Sequence, residues 1–179
     1  MTYLPSLPSD AVLLDVFRAY PGTARPLLDY HQALLRGPSP LTVAERELIA
    51  AYVSGLNACR YCHGVHTATA QAFGIPEGTL GALLEDIGTA PVAERMKPML
   101  RYVGKLTLTP AKITPGDAEA VLAVGFQEQA LHDAVAVCGL FNLMNRLVEG
   151  LGITAGEDYF RTAAGRLSET GYTALKDLL

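Results

Sequence analysis

Apolar residues recur at three- and four-residue spacing along almost the whole chain, and alternating β-branched runs are absent. That period puts one apolar stripe on a helix face, so the fold class expected is all-α. Ala, Leu, Glu and Arg, all favourable to helix, dominate the periodic stretches. Punctuation residues set the expected bounds. Ser9 can cap a helix over 9–20, stopped by Pro21-Gly22, and a second runs over 23–36 with Pro26 in its first turn and Gly37 beyond its end. Residues 37–40, Gly-Pro-Ser-Pro, read as a loop. Thr42 with Glu45 three residues on, preceded by Leu41, forms a capping box for a helix reaching about residue 56. Asn57 is the expected cap of the next helix, which runs to Phe73 and stops at Gly74 before Pro76. Shorter helices are expected over 76–86 and 92–106, ending before Thr109-Pro110. Another opens at Thr114-Pro115-Gly116-Asp117 and ends at Gly125. A long helix over 128–149 follows, closed by Gly150-Leu151-Gly152, then one over 155–169 and a short tail over 172–179.

The long helix is apolar nearly all round between Ala134 and Met144, which implies central core or an interface, and a homo-oligomer is expected. Its apolar stretch, broken by Asn142 and Asn145, falls short of the ~20 residues a membrane span needs. Length adds a constraint: 179 residues suit one domain, and the 50% hydrophobic content is enough for a core. With 18% charged residues, a net charge of −4 and no Lys/Arg cluster, no nucleic-acid surface is expected. The opening Met1-Thr2-Tyr3-Leu4-Pro5 lacks a positive segment followed by an apolar one, so a cytoplasmic location is expected. Three cysteines there do not suggest a structural disulfide framework, and a close pair points to redox chemistry or a metal.

That pair lies in Cys59-Arg60-Tyr61-Cys62-His63-Gly64-Val65-His66. At ~100° per residue, positions 59, 62, 63 and 66 fall within one arc of a helix. A helix start next to Cys59 favours thiolate there. Cysteines three apart can cycle between dithiol and disulfide, and a nearby imidazole or carboxylate can remove and return the proton that thiol attack requires. Cys138, alone on its helix, reads as a buried residue. Two rival chemistries share the segment. Cys59-x-x-Cys62-His63 spells a c-type haem attachment string, but no export signal accompanies it. Cys59, Cys62 and His66, with or without His63, could bind zinc, but no second ligand pair is present to complete a structural site. No cofactor and no metal are expected. Glu47 by itself would be an ordinary solvated helix residue.

Glu47, eleven residues, Cys59-x-x-Cys62, three residues and His66 together resemble the signature of the alkylhydroperoxidase D-like family, within the carboxymuconolactone decarboxylase superfamily. Cys138-Gly-Leu-Phe141-Asn142-Leu-Met-Asn145-Arg146, followed by Gly150-Leu-Gly152, resembles its peroxidase-related branch. The resemblance spans roughly residues 27–165. It implies one helical-bundle domain over 1–179, with 1–40 as an N-terminal helical extension and 41–75 as the core motif helices, assembling into trimers or hexamers. It further implies reduction of an organic hydroperoxide or hydrogen peroxide. Cys62 would attack the peroxide oxygen and become a sulfenic acid. Cys59 would resolve it to a disulfide, an external dithiol (a lipoylated or thioredoxin-like protein) would reset the pair, and Glu47 with His66 would relay protons. The best-studied members have histidine directly before the second cysteine, where this chain has Tyr61. A phenol titrates near ~10 and is a poor base at neutral pH, although it can donate a hydrogen bond. His63 lies outside the motif and is expected to be a solvated neighbour. A helix start favours Cys59 as the more acidic thiol, whereas the resemblance favours Cys62 as the attacker. Two other readings use the same residues: a dithiol-disulfide oxidoreductase or redox sensor that ignores peroxides, and a helical assembly with a vestigial or metal-filled site. Lactone decarboxylase relatives generally lack the cysteine pair.

Overall fold

A computed structural model describes all of residues 1–179 as nine α-helices and two short 3-10 turns, with no strand. The helices are α1 (Leu13–Ala19), α2 (Pro21–Arg36), α3 (Val43–Leu56), α4 (Arg60–Ala72), α5 (Thr79–Glu85), α6 (Met96–Leu108), α7 (Pro115–Ala123), α8 (Glu128–Gly150) and α9 (Glu157–Thr170). The 3-10 turns cover Pro110–Lys112 and Thr173–Leu178. None of the helices is long and apolar enough to cross a membrane.

The strongest sequence signals fall where expected. Thr42 Oγ1 accepts from the Glu45 N–H at 3.1 Å while Glu45 Oε2 accepts from the Thr42 N–H at 2.8 Å. Thr114 and Asp117 make a similar start to α7, with Pro115 at its first position. Gly74, at φ +97°, lies two residues past α4 in the left-handed region that glycine tolerates.

Three expected bounds are corrected. Ser9 caps nothing, and α1 starts four residues later, where Asp15 Oδ2 accepts from the Val12 N–H at 3.0 Å. Pro21-Gly22 does not stop a helix but opens α2, because proline at the first position forfeits only an N–H that has no helical partner. Pro26 consequently sits inside α2 rather than in its first turn. Asn57 does not cap α4; it ends α3. After it Ala58 takes φ +54°, a position glycine usually fills, with Ala58 N–H bonded to Gly55 O at 2.9 Å and Cys59 N–H to Ser54 O at 3.0 Å. This tight reversal makes Cys59 itself the residue before α4. The Asn57 Nδ2 group donates across the core to Asn142 Oδ1 at 3.2 Å and Asn145 Oδ1 at 2.9 Å.

Packing explains why α3 and α8 are so apolar. Every residue of α3 from Arg46 to Ser54 is buried, because α4 packs on one side and α6 and α8 on another. Helix α8 buries Ala134, Val137, Phe141, Met144 and Val148 in the same core, while Leu143 on its outer side stays half exposed. Helix α9 lies along α4. The chain ends meet near them: Arg18 Nε donates to Leu178 O at 2.8 Å, Lys176 pairs with Asp29, and the Tyr172 N–H donates to Gln32 Oε1 at 2.8 Å. The N- and C-terminal segments thereby close over the start of α4.

Candidate active site

The α3–α4 reversal puts both motif cysteines at one helix start. Cys59 is the capping residue and Cys62 the third residue of α4. Both are free thiols, and both are buried. The neighbouring Cys59 thiol, followed by burial, pushes the Cys62 thiol well above its ordinary value, while Asn145 works the other way. Cys62 is therefore a thiol at rest, and its attack requires a base that takes the proton as the sulfur reacts.

Such a base stands one turn further along α4. His66 Nδ1 lies 2.7 Å from Glu47 Oε2. A carboxylate only accepts, so Nδ1 carries the hydrogen and Nε2 is the basic nitrogen. Glu47, fully buried at 0% exposure, is far from the solvated residue that an isolated helix glutamate would be. Arg36 Nη1 donates to its Oε1 at 2.6 Å and the Tyr172 hydroxyl to the same oxygen at 3.0 Å. Burial alone would raise the carboxyl, but the charges and hydrogen bonds of His66 and Arg36 outweigh it and hold Glu47 below the usual carboxylate range. Three segments thus converge on the anion that α3 carries: α2, α4 and the link after α9.

Tyr61 lines the same cavity as Cys62 and His66 but makes no hydrogen bond to the relay. Its hydroxyl donates to Tyr159 on α9 at 2.8 Å, and the rings lie 5.6 Å apart. Burial, followed by the Tyr159 neighbour, pushes the phenol far above its ordinary value, so Tyr61 is neutral and supplies a hydrogen bond, not a base. His63 is corrected from a solvated neighbour to a half-buried one: its Nδ1 donates to Ala51 O at 2.9 Å and ties α4 to α3. Cys138 is buried beside Thr107 and Asn142, as a core thiol. No group of three His, Cys, Asp or Glu side chains converges in a way that could hold a metal ion.

Cys62 and His66 both line a cavity of ≈ 80 Å³ roofed by α1, α2, α9 and the C-terminal turn. Cys59 does not line it. All its lining residues are hydrophobic types except His31, His66 and Arg166. Sequence reasoning passed over Arg36, Tyr172 and His31, which lie on helices or turns remote from the motif; a basic residue just before Gly37 carries no pattern that announces a buried glutamate partner. Asn145 stood in a matching segment but had no assigned task, and the structure puts its amide against Ser54 and Asn57 as well as Cys62.

Residues 21–101 match the model of the carboxymuconolactone decarboxylase family. Two solved structures share the fold. A peroxidase-related protein from Silicibacter sp. TM1040 is 27% identical with a TM-score of 0.77, covering 83% of this chain and 78% of its own. A peroxidase-related protein from Ralstonia eutropha JMP134, described as an alkylhydroperoxidase AhpD core, is 25% identical with a TM-score of 0.76 over the same shares. No curated protein matches the chain.

Proposed function

We propose that the chain is an alkylhydroperoxidase D-like member of the carboxymuconolactone decarboxylase superfamily and that it acts as a thiol-dependent hydroperoxide reductase. The observation that carries this reading is the placement of Cys62 on an apolar cavity beside His66, with Glu47 behind His66 and Cys59 behind Cys62. The peroxide enters the cavity. His66 Nε2 takes the Cys62 proton as the sulfur attacks the terminal peroxide oxygen. The S–O bond forms, the O–O bond breaks, and the leaving alkoxide receives the proton from His66. The products are an alcohol and Cys62 sulfenic acid. The Cys59 sulfur then attacks Cys62, the S–S bond forms and water leaves. An external dithiol returns two electrons and two protons.

The apolar lining favours an organic hydroperoxide over hydrogen peroxide, because an alkyl group replaces water there at a gain. Burial of both thiols favours a reductant that is a slender dithiol arm, such as a lipoyl group, over the face of a folded thioredoxin-like protein. The same burial counts against general exchange with protein disulfides.

The test is an alkylatable-thiol count by intact mass, before and after one equivalent of cumene hydroperoxide. Wild type should lose two thiols. Cys59→Ser should trap a sulfenic acid, and Cys62→Ser should lose none. An unchanged count in the wild type, with the thiols reachable by a small alkylating agent, would overturn the proposal.

A further inference from the structure

The reductase scheme leaves one buried titratable side chain on the cavity wall unused. His31, in α2, is 4% exposed and faces the same cavity as Cys62 and His66. Its Nδ1 lies 2.8 Å from the Leu27 carbonyl oxygen one turn back. A carbonyl can only accept, so Nδ1 carries the ring hydrogen and Nε2 presents a bare lone pair. The Nδ1 bond is the ring's one hydrogen bond within the protein, and the ring lines the cavity. Two rings fix the orientation: Tyr172 lies tilted against His31 at 5.2 Å and Phe141 meets it edge-on at 6.1 Å. Phe141 also meets His66 edge-on at 4.4 Å, so one phenyl ring sets the spacing of the two imidazoles. Burial, foremost, lowers His31 to about 4, so the ring is neutral at physiological pH and remains an acceptor.

A preformed acceptor on the wall of an apolar cavity is open to a donor on whatever molecule occupies that cavity. A hydroperoxide carries one donor, the O–H on its terminal oxygen, which is also the oxygen the sulfur attacks. We infer that His31 Nε2 accepts that O–H hydrogen bond and holds the terminal oxygen before Cys62. The inference rests on the hydroperoxidase reading. His31 exchanges no proton in the reaction: the hydroxyl hydrogen stays on its oxygen as that oxygen moves to sulfur, and His66 supplies the proton to the alkoxide. The two imidazoles thus divide the peroxide, one holding the oxygen that is transferred and the other serving the oxygen that leaves. Holding the reacting atoms in line is the contribution expected of a group at this position.

The experiment compares wild type with His31→Phe, which keeps a stacking ring but cannot accept, and with His31→Gln, whose amide oxygen can. Single-turnover oxidation of Cys62 by cumene hydroperoxide is measured beside its alkylation by iodoacetamide, which offers no peroxide O–H. The expected result is a fall of roughly tenfold or more in the peroxide rate for His31→Phe, carried by weaker saturation. The alkylation rate should stay within about twofold, and His31→Gln should recover part of the loss. Equal peroxide rates in wild type and His31→Phe would overturn the inference and leave the hydroperoxidase reading standing. Parallel falls in both rates would assign His31 to the thiol and not to the peroxide. A wild type inert to peroxide would remove the hydroperoxidase reading itself. Loss of fold in His31→Phe shifts the decision to His31→Gln against His31→Leu, read the same way.

Discussion

Glu47 keeps its charge with none of its surface exposed because three donors from other segments surround it. Removing that charge leaves the largely enclosed Arg36 without its anionic partner. Glu47→Gln should therefore cost on the order of 3 kcal/mol in urea unfolding, and it should slow peroxide oxidation of Cys62 by roughly a hundredfold, since His66 loses the carboxylate that fixes its ring and tautomer. A variant with wild-type rate would detach Glu47 from the chemistry and leave it a structural anchor. His31 gives a separate pH signature. Its ordinary value is 6.5 and burial lowers it to about 4 in the folded chain. Between those values the unfolded chain binds a proton that the folded chain refuses. Its contribution is therefore complete above about pH 6.5 and falls away as the pH drops toward 4. Glu47, held below its ordinary 4.5, has the matching sign: its contribution is present above that pH and is lost below it. Unfolding free energy should thus decline on acidification from neutrality, and His31→Phe should flatten the part of the curve above about pH 4.5. Parallel curves for the two proteins would count against this assignment.

At the scale of elements, the site depends on two close approaches. The first is the α3–α4 reversal, where Ala58 holds a left-handed conformation that places Cys59 before α4 and Cys62 in its first turn. The second is the contact of α4 with α9. A Cβ built on Gly64 would come within 2.4 Å of the Phe160 ring, so only glycine lets α9 lie this near. Phe160 is buried and carries an edge contact to Tyr61, so it cannot simply swing aside. Gly64→Ala should destabilise the protein by about 1–3 kcal/mol. It should also raise the rate at which iodoacetamide reaches Cys62, as α9 is pushed off the cavity. A thermal midpoint within one degree or so of wild type would show that α9 yields freely.

Across the whole molecule, one contiguous core links α2, α3, α4, α6, α8 and α9, and the two chain ends are tied together over the cavity. Two features bear on assembly: the half-exposed Leu143 on α8 and the exposed Leu108 at the end of α6. Single exposed apolar side chains do not make a docking patch, so the homo-oligomer stands as a proposal. Light scattering at micromolar concentration should give a mass several times 19.1 kDa, and a monomer there would remove the oligomer from the proposal.

The chain pattern by itself determined the helical class, most helix bounds and the cysteine pair on one helix arc with His66, because periodicity, caps and short spacings are local properties; Glu47 entered only through the family resemblance. Local rules erred at Ser9, Pro21 and Asn57: Asp15 anchors the start of the first helix, Pro21 takes a free first position, and the left-handed Ala58 moves the start of α4 past Asn57. They also left His63 in solvent, because its acceptor, the Ala51 carbonyl, belongs to the preceding helix. Only the tertiary structure decided which thiol faces the cavity, that Tyr61 bonds to Tyr159, and that Arg36, Tyr172 and His31 join the site. The reason is physical. A buried charge or imidazole must be satisfied by whatever donors and acceptors the fold brings within about 3 Å, and those partners lie between 11 and 125 residues away from Glu47.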